Sequence, residues 1–141
     1  MAHFDVDAAA CSEDEIEVLF NDCYGRWTPS EKAVELYVKT RGEGIGSRHD
    51  PVLVDIFKKL GNRFDANDLS ETAIKKIPKK YKDYYEIREN DGLEMVAINY
   101  KRYEFDKLKN EVYMMKKILK DDTNTDEKFE KISRLITNAI I

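Results

Sequence analysis

Asp91-Gly92 stands between two short alternating runs, Tyr84-Tyr85-Glu86-Ile87-Arg88 and Leu93-Glu94-Met95-Val96-Ala97-Ile98. A two-residue hairpin turn needs positive φ at both central positions, and Asp-Gly supplies that at low cost. The dipeptide therefore predicts an antiparallel hairpin and constrains the rest of the fold around it. With Asp91-Gly92 as the loop, Ile87 faces Val96 and Tyr85 faces Ile98. A shift by one residue sets Ile87 against Glu94, a poor pair. A three-residue loop with Gly92 as a bulge is the remaining competitor, and the Asp-Gly register is preferred.

The period is helical on either side of this region. Ser12 with Glu15 makes a capping-box pattern, and Ile16, Leu19 and Phe20 follow at helical spacing, which predicts a short helix over about 13–23. Thr28-Pro29-Ser30-Glu31 starts a second helix, with Ala33, Val34, Tyr37 and Val38 as its stripe and Gly42 as its stop. Gly42, Gly44 and Gly46 lie within a segment from Arg41 to His49 that reads as a mobile loop. Asp50-Pro51 restarts a helix that buries Leu53, Val54, Phe57 and Leu60 and ends in an αL cap at Gly61. Thr72 to Ile77 alternates as a short strand ended by Pro78.

From Tyr103 onward Phe105, Leu108, Val112, Met115 and Leu119 are spaced 3-4-3-4, the rhythm of a helix packing along a partner. Phe129, Ile132, Ile136 and Ala139 repeat that spacing after a break at Asp121 to Thr125. Two such stripes make an antiparallel helical hairpin, satisfied within one chain or across a dimer. The expected fold is α+β within a single domain, 1–141. It comprises an acidic arm (1–11), a helical part (12–61), one small antiparallel sheet (71–99) and a helical hairpin (103–139).

Composition narrows the function classes. The chain has 141 residues, a formal charge of −4 and a charged fraction of 37%, well above the usual ~25%. No apolar run approaches the roughly 18 residues of a membrane span, and the acidic start is unlike a signal peptide. Cys11 and Cys23 make no disulfide framework, so a reducing intracellular compartment is expected. Residues 1–25 carry seven acidic side chains and no basic one, whereas Lys75, Lys76, Lys79, Lys80 and Lys82 cluster within eight positions. That asymmetry marks either a partner-binding patch or two regions that neutralise each other.

Few constellations carry chemistry. Gly42-Glu43-Gly44-Ile45-Gly46 lacks the preceding strand and the Gly-Lys-Ser/Thr of a phosphate loop and reads as a connector. Arg48-His49 before Asp50-Pro51 places a cation and an imidazole at a helix N-terminus, where an anion could bind; the preferred reading is that Asp50 only caps the helix while Arg48 and His49 sit in solvent, and Arg48 could equally pair with an acid of the N-terminal arm. His3, His49, Cys11 and Cys23 lack metal-ligand spacing, so no metal or cofactor is expected. Cys23 falls on the apolar side of the first helix as a core residue. Glu86, Glu89 and Glu94 share the hairpin and read as solvated strand positions. Trp27, in a corner between two helices, is a core anchor or an interface hot spot.

Lys75, Lys76, Lys79, Lys80, Tyr81 and Lys82 interleave cations with an aromatic ring, a mixture that nucleic-acid surfaces use. The overall acidity and the ratio of 7 Arg to 17 Lys argue against it, and lysines also guard exposed strand edges.

Arg48-His49-Asp50-Pro51-Val52-Leu53-Val54, Leu60-Gly61, Ile77-Pro78 and the run from Tyr84 to Glu94 resemble a stretch of small uncharacterised proteins of large nucleocytoplasmic DNA viruses, the giant algal and amoebal viruses. That stretch runs roughly Arg-x-Asp-Pro-x-Leu, Leu-Gly, Ile-Pro, Tyr-x-Ile-x-Glu-Tyr-Asp-Gly-x-Glu. The chain departs at Asn90, where the pattern often carries Tyr. The likeness covers about residues 31–100 and implies expression in an infected cell, as a virion component or a factor acting on host machinery in the cytoplasm or nucleus. It brings no catalytic residues with it.

These readings lead to a non-enzymatic protein-interaction module, an accessory or virion protein. Its contacts are Arg48, His49, Asp91, Glu94 and Trp27, with a host or viral protein as partner. The alternative is nucleic-acid or other polyanion binding through residues 75–85. On the first reading, replacing Arg48 and His49 by Ala weakens partner binding and leaves the melting temperature nearly unchanged.

Overall fold

The computed structural model describes residues 13–120 and 125–140, with the backbone alone at 125, 139 and 140. The acidic arm with His3 and Cys11 lies outside the described residues. The chain divides into two compact units, Met1–Ile98 and Asn99–Ile141.

The first unit is built from β1 (Glu15–Asn21), α1 (Glu31–Arg41), α2 (Pro51–Leu60), β2 (Thr72–Pro78), β3 (Tyr85–Asn90) and β4 (Leu93–Ile98), with 3₁₀ turns at Gly61–Phe64 and Lys79–Tyr81. The class is α+β, as expected, but its sheet content is arranged differently. Residues 15–21 form a strand, not the helix expected over 13–23. The helical part over 12–61 therefore begins with β1, and Cys23 lies beyond a strand, half-exposed rather than in a core. Nor do residues 71–99 form one sheet: β2 pairs antiparallel with β1, and β3 with β4, as two separate two-stranded sheets.

Burial explains the misreading of β1. Val18 and Leu19 are both fully buried although their side chains leave opposite faces of the strand. A strand covered on both faces carries consecutive apolar residues, and Ile16, Leu19 and Phe20 then mimic helical spacing. The β-branched Ile16 and Val18 favour the extended form, and Ile16 opposite Ile77 and Leu19 opposite Ile74 supply the cross-strand pairs.

The helix ends follow local chemistry. Ser30 caps α1 by accepting from the Ala33 N–H, and Gly42 ends it with φ of 77°. Asp50 caps α2 through the Val52 N–H, with Pro51 in the first turn. Gly61 has φ 57° and ψ −128°, so it is not the αL cap expected; it opens the 3₁₀ turn instead. The hairpin adopts the Asp-Gly register, Ile87 opposite Val96 and Tyr85 opposite Ile98. Positive φ at Asp91 (51°) and Gly92 (90°) supplies the turn.

Leu19, Ala33, Tyr37, Leu53, Val54, Ile56 and Phe64 form the core, flanked by half-buried Trp27, Leu36, Phe57 and Ile74. Phe64 meets Phe57 edge to face, with ring centroids 5.4 Å apart. Each fully buried large side chain here stabilises the unit by about 1.5–3 kcal/mol.

The second unit is a helical hairpin of α3 (Tyr100–Lys120) and α4 (Thr125–Ile140). The Asn99 side chain accepts from the Arg102 N–H at the start of α3. Met114 and Ile118 of α3 share a groove with Lys131, Arg134, Leu135 and Asn138 of α4. No residue of this unit with a described side chain is buried.

Candidate functional site

Arg48, Glu94 and Trp27, remote in sequence, converge. Arg48 donates from its two terminal nitrogens to the two oxygens of Glu94, at 2.7 and 3.0 Å, and one of them also lies 3.4 Å from the Leu19 carbonyl. Its guanidinium stacks 3.6 Å from the centroid of the Trp27 ring. The side chains of Arg48 and Glu94 are 18% and 7% exposed. A two-pronged pair of this kind, stacked on an aromatic face, uses the fixed fork of arginine in a way lysine cannot. Trp27 donates its indole N–H to Thr72 Oγ1 at 3.0 Å, which fixes the ring under the cation.

Asn21 completes the cluster. It is fully buried, and its backbone N–H donates to Glu94 Oε1 at 2.8 Å. Its side-chain amide donates to the Gly92 and Cys23 carbonyls and accepts from the Glu71 N–H. Glu94 thus holds a guanidinium and a backbone amide together, which offsets the cost of burying its charge. The reading of Glu94 as a solvated strand position is corrected. It shares a strand face with Val96 and Ile98, and a charge among apolar neighbours on one face was the available signal. Asn21 carried no such signal, because all of its partners except Cys23 lie 50 to 73 residues away.

Two glycines close this region. A Cβ on Gly92 would sit 1.0 Å from the Gly25 carbonyl oxygen, and one on Gly25 would sit 1.9 Å from that of Leu69. The hairpin turn therefore lies directly on the backbone after β1. The glycine loop behaves differently along its length. Gly44 and Gly46 have open space where a Cβ would go. Beyond them, the Arg48 carbonyl accepts from the Leu19 N–H at 2.9 Å, so the loop is anchored at this end. Asp50 caps the N-terminus of α2, as one of the two readings had it, and Arg48 turns to Glu94 instead of standing free for an anion; its proposed pairing with the N-terminal arm lies outside the described residues.

Asp50 is a second hub. Besides capping α2, it accepts from Tyr37 Oη at 2.6 Å and from Arg41 at 2.6 and 3.1 Å. The Arg41 hydrogen bonds chiefly hold its carboxyl down, from 3.8 to about 2. His49 Nδ1 lies 2.5 Å from Tyr85 Oη, the rings meeting edge to face at 5.5 Å. Burial, then the charge of Lys82, lowers the His49 pKa. His49 also borders an open cleft of about 300 Å³ with Glu15, Glu17, Pro51, Asp55 and Lys58, in which Lys58 pairs with Glu17 at 2.8 Å. Asp91 is exposed at the turn.

Of the lysine-rich segment, Lys75, Lys79, Lys80 and Lys82 are exposed, while Lys76 and Tyr81 are half-buried. Lys80 Nζ lies 5.0 Å from the Tyr81 ring centroid. Glu17 of β1 lies opposite Lys76 in the sheet register, while its ion pair is with Lys58. Among the described residues no group of three or more His, Cys, Asp or Glu side chains is placed to hold a metal ion, and no helix is long and apolar enough to cross a membrane.

The second unit presents a different kind of surface. Phe105, Leu108, Val112 and Leu119 are 64%, 53%, 42% and 61% exposed and Met115 is half-buried, so most of the 3-4 stripe is left uncovered by α4, whose shared groove lies along Met114 and Ile118. Phe105, Leu108 and Val112 line an open apolar groove edged by Lys109, Tyr113 and Lys116. Comparison of the chain with protein families, curated proteins and solved structures finds no match.

Proposed function

We propose that this protein is a non-enzymatic protein-interaction module whose principal contact surface is the apolar stripe of α3. One observation carries the reading: Phe105, Leu108 and Val112, spaced 3 and 4, stand in solvent with Leu119 a further seven residues on, and contiguous exposed apolar surface of this kind marks association sites. Arg48, Glu94 and Trp27 serve the first unit by fixing the loop and the hairpin on β1. Asp91 on the exposed turn and His49 beside its cleft are the further contact residues of that unit. The resemblance across residues 31–100 supplies a setting, an accessory or virion protein of an infected cell with a host or viral protein as partner.

A tagged pull-down with and without nuclease tests this, comparing wild type with Leu108→Asp/Val112→Asp. Protein partners that survive nuclease and vanish in the double variant support the module. Retention of every partner by the double variant removes the stripe as the contact surface. The exposed Lys75, Lys79, Lys80 and Lys82 favour a second reading, polyanion binding, which predicts nuclease-sensitive recovery and affinity falling steeply with salt.

A further inference from the structure

We infer that the α3 stripe is the seam of a parallel homodimer, a second copy of this chain being its occupant. The inference rests on the stripe being a contact surface and adds which partner covers it and in what direction. With Phe105 set as position a of a heptad, Val112 and Leu119 are also a, and Leu108 and Met115 are d. The flanks then fall into two rows of opposite charge: Glu104 and Glu111 at g, Lys109 and Lys116 at e. In a parallel pair each g residue meets the e residue five positions on in the other helix, which sets Glu104 against the second copy's Lys109 and Glu111 against its Lys116. An antiparallel pair sets g against g and e against e, acid on acid and lysine on lysine.

The charges are available for that role. None of the four forms a salt bridge with a described residue, although i,i+4 pairs do form on α4. Glu104, Lys109 and Lys116 are exposed and Glu111 is half-buried. Lys109 and Lys116 line the apolar groove, and a lysine so placed can lay its methylenes over the seam while its ammonium head reaches the facing helix. Val112 at a beside Leu108 at d suits a two-stranded assembly.

Sedimentation equilibrium on the full chain, from low to high micromolar concentration, gives the first reading. The wild type is expected at the dimer mass, and Val112→Asp at the monomer mass, a twofold fall with the first unit still folded by near-ultraviolet circular dichroism. A wild-type monomer at every concentration overturns the homodimer, while the pull-down with Leu108→Asp/Val112→Asp separately decides whether the stripe binds another protein. Direction is read by cross-linking in a Cys11→Ser/Cys23→Ser background. Leu119→Cys alone should oxidise to a linked dimer, because a parallel seam sets the same a position side by side. If Leu119→Cys stays unlinked but cross-links to Phe105→Cys on mixing, the helices run antiparallel and the charge argument is wrong. Lys109→Glu/Lys116→Glu should abolish the dimer; an unchanged mass also overturns the proposal.

Discussion

The two units of this chain treat their apolar side chains in opposite ways. In the first, nine of the described hydrophobic residues are buried, from Val18 to Ile77, and the buried Glu94 is paired with Arg48 and the Asn21 N–H across 46 and 73 residues of sequence. In the second, two helices share one interface and no described side chain is buried, leaving Phe105, Leu108, Val112 and Leu119 outside. Two helices offer each other a single contact face, so a second stripe on α3 has nothing in the hairpin to cover it. A unit of 43 residues of this kind sits near the size at which oligomerisation or another staple is needed for stability. The difference separates a part that finishes its own fold from a part that is completed by association.

The sharpest way to break this comparison is to open the first unit. Glu94→Ala leaves the Arg48 guanidinium unpaired beneath partly buried surroundings and should cost about 3–5 kcal/mol, seen as a large fall in thermal or urea midpoint. Arg48→Ala should act alike, contrary to the small change in melting temperature that the sequence alone suggests. A midpoint unmoved by both would make the pair a surface feature.

Gly92→Ala should cost about 3 kcal/mol or more, combining a left-handed backbone with a collision against backbone that cannot give way. Gly44→Ala should stay within about 0.5 kcal/mol. The contrast between the two, measured by denaturant midpoint, isolates the close approach from the general cost of changing a glycine.

Acid titration tests the Asp50 hub. Its folded value, about 2, lies below the unfolded 3.8, so the unfolded chain takes the proton first. The stabilisation is complete above about pH 4 and is lost as pH falls toward 2. His49 works in the same direction at higher pH. Its pKa is lowered from 6.5 by burial, so stability declines as pH drops below the value of the unfolded imidazole. Melting temperature against pH should therefore fall on the acid side, and Asp50→Asn should flatten the limb between pH 4 and 2. A limb unchanged by that variant would remove Asp50 as its source.

The smallest effect belongs to the second unit. Val112→Asp should leave the unfolding midpoint of the first unit within about 0.5 kcal/mol while changing association. A loss comparable to that of Glu94→Ala would mean that the stripe is part of the self-contained fold.

What the sequence made legible follows the range of the interactions. The hairpin register, the cap at Asp50 and the stop at Gly42 are set by neighbours a few residues apart, and each was readable from residue type; the start of α1 was read two residues early, at Thr28-Pro29, whereas Ser30 is the cap. β1 was not, because burial on both faces erases the alternation that identifies a strand. The pairing of β2 with β1, 50 or so residues apart, was hidden for the same reason. Arg48 and Trp27 stood out by type, but their meeting with Glu94 depends on how the hairpin folds back onto β1. The closeness of Gly25 to Gly92 depends on it too. The α3 stripe was fully legible as a pattern; that α4 leaves it uncovered emerged only from the packing of Met114 and Ile118.

Amide hydrogen exchange of the full chain at low and high protein concentration tests the central contrast most directly. Amides of β1, α2 and β2 should exchange slowly and equally at both concentrations, while those of α3 around Leu108 to Met115 should slow markedly at the higher one. Equal and strong protection of α3 at both concentrations would contradict the account, since the stripe would then be closed within a single chain.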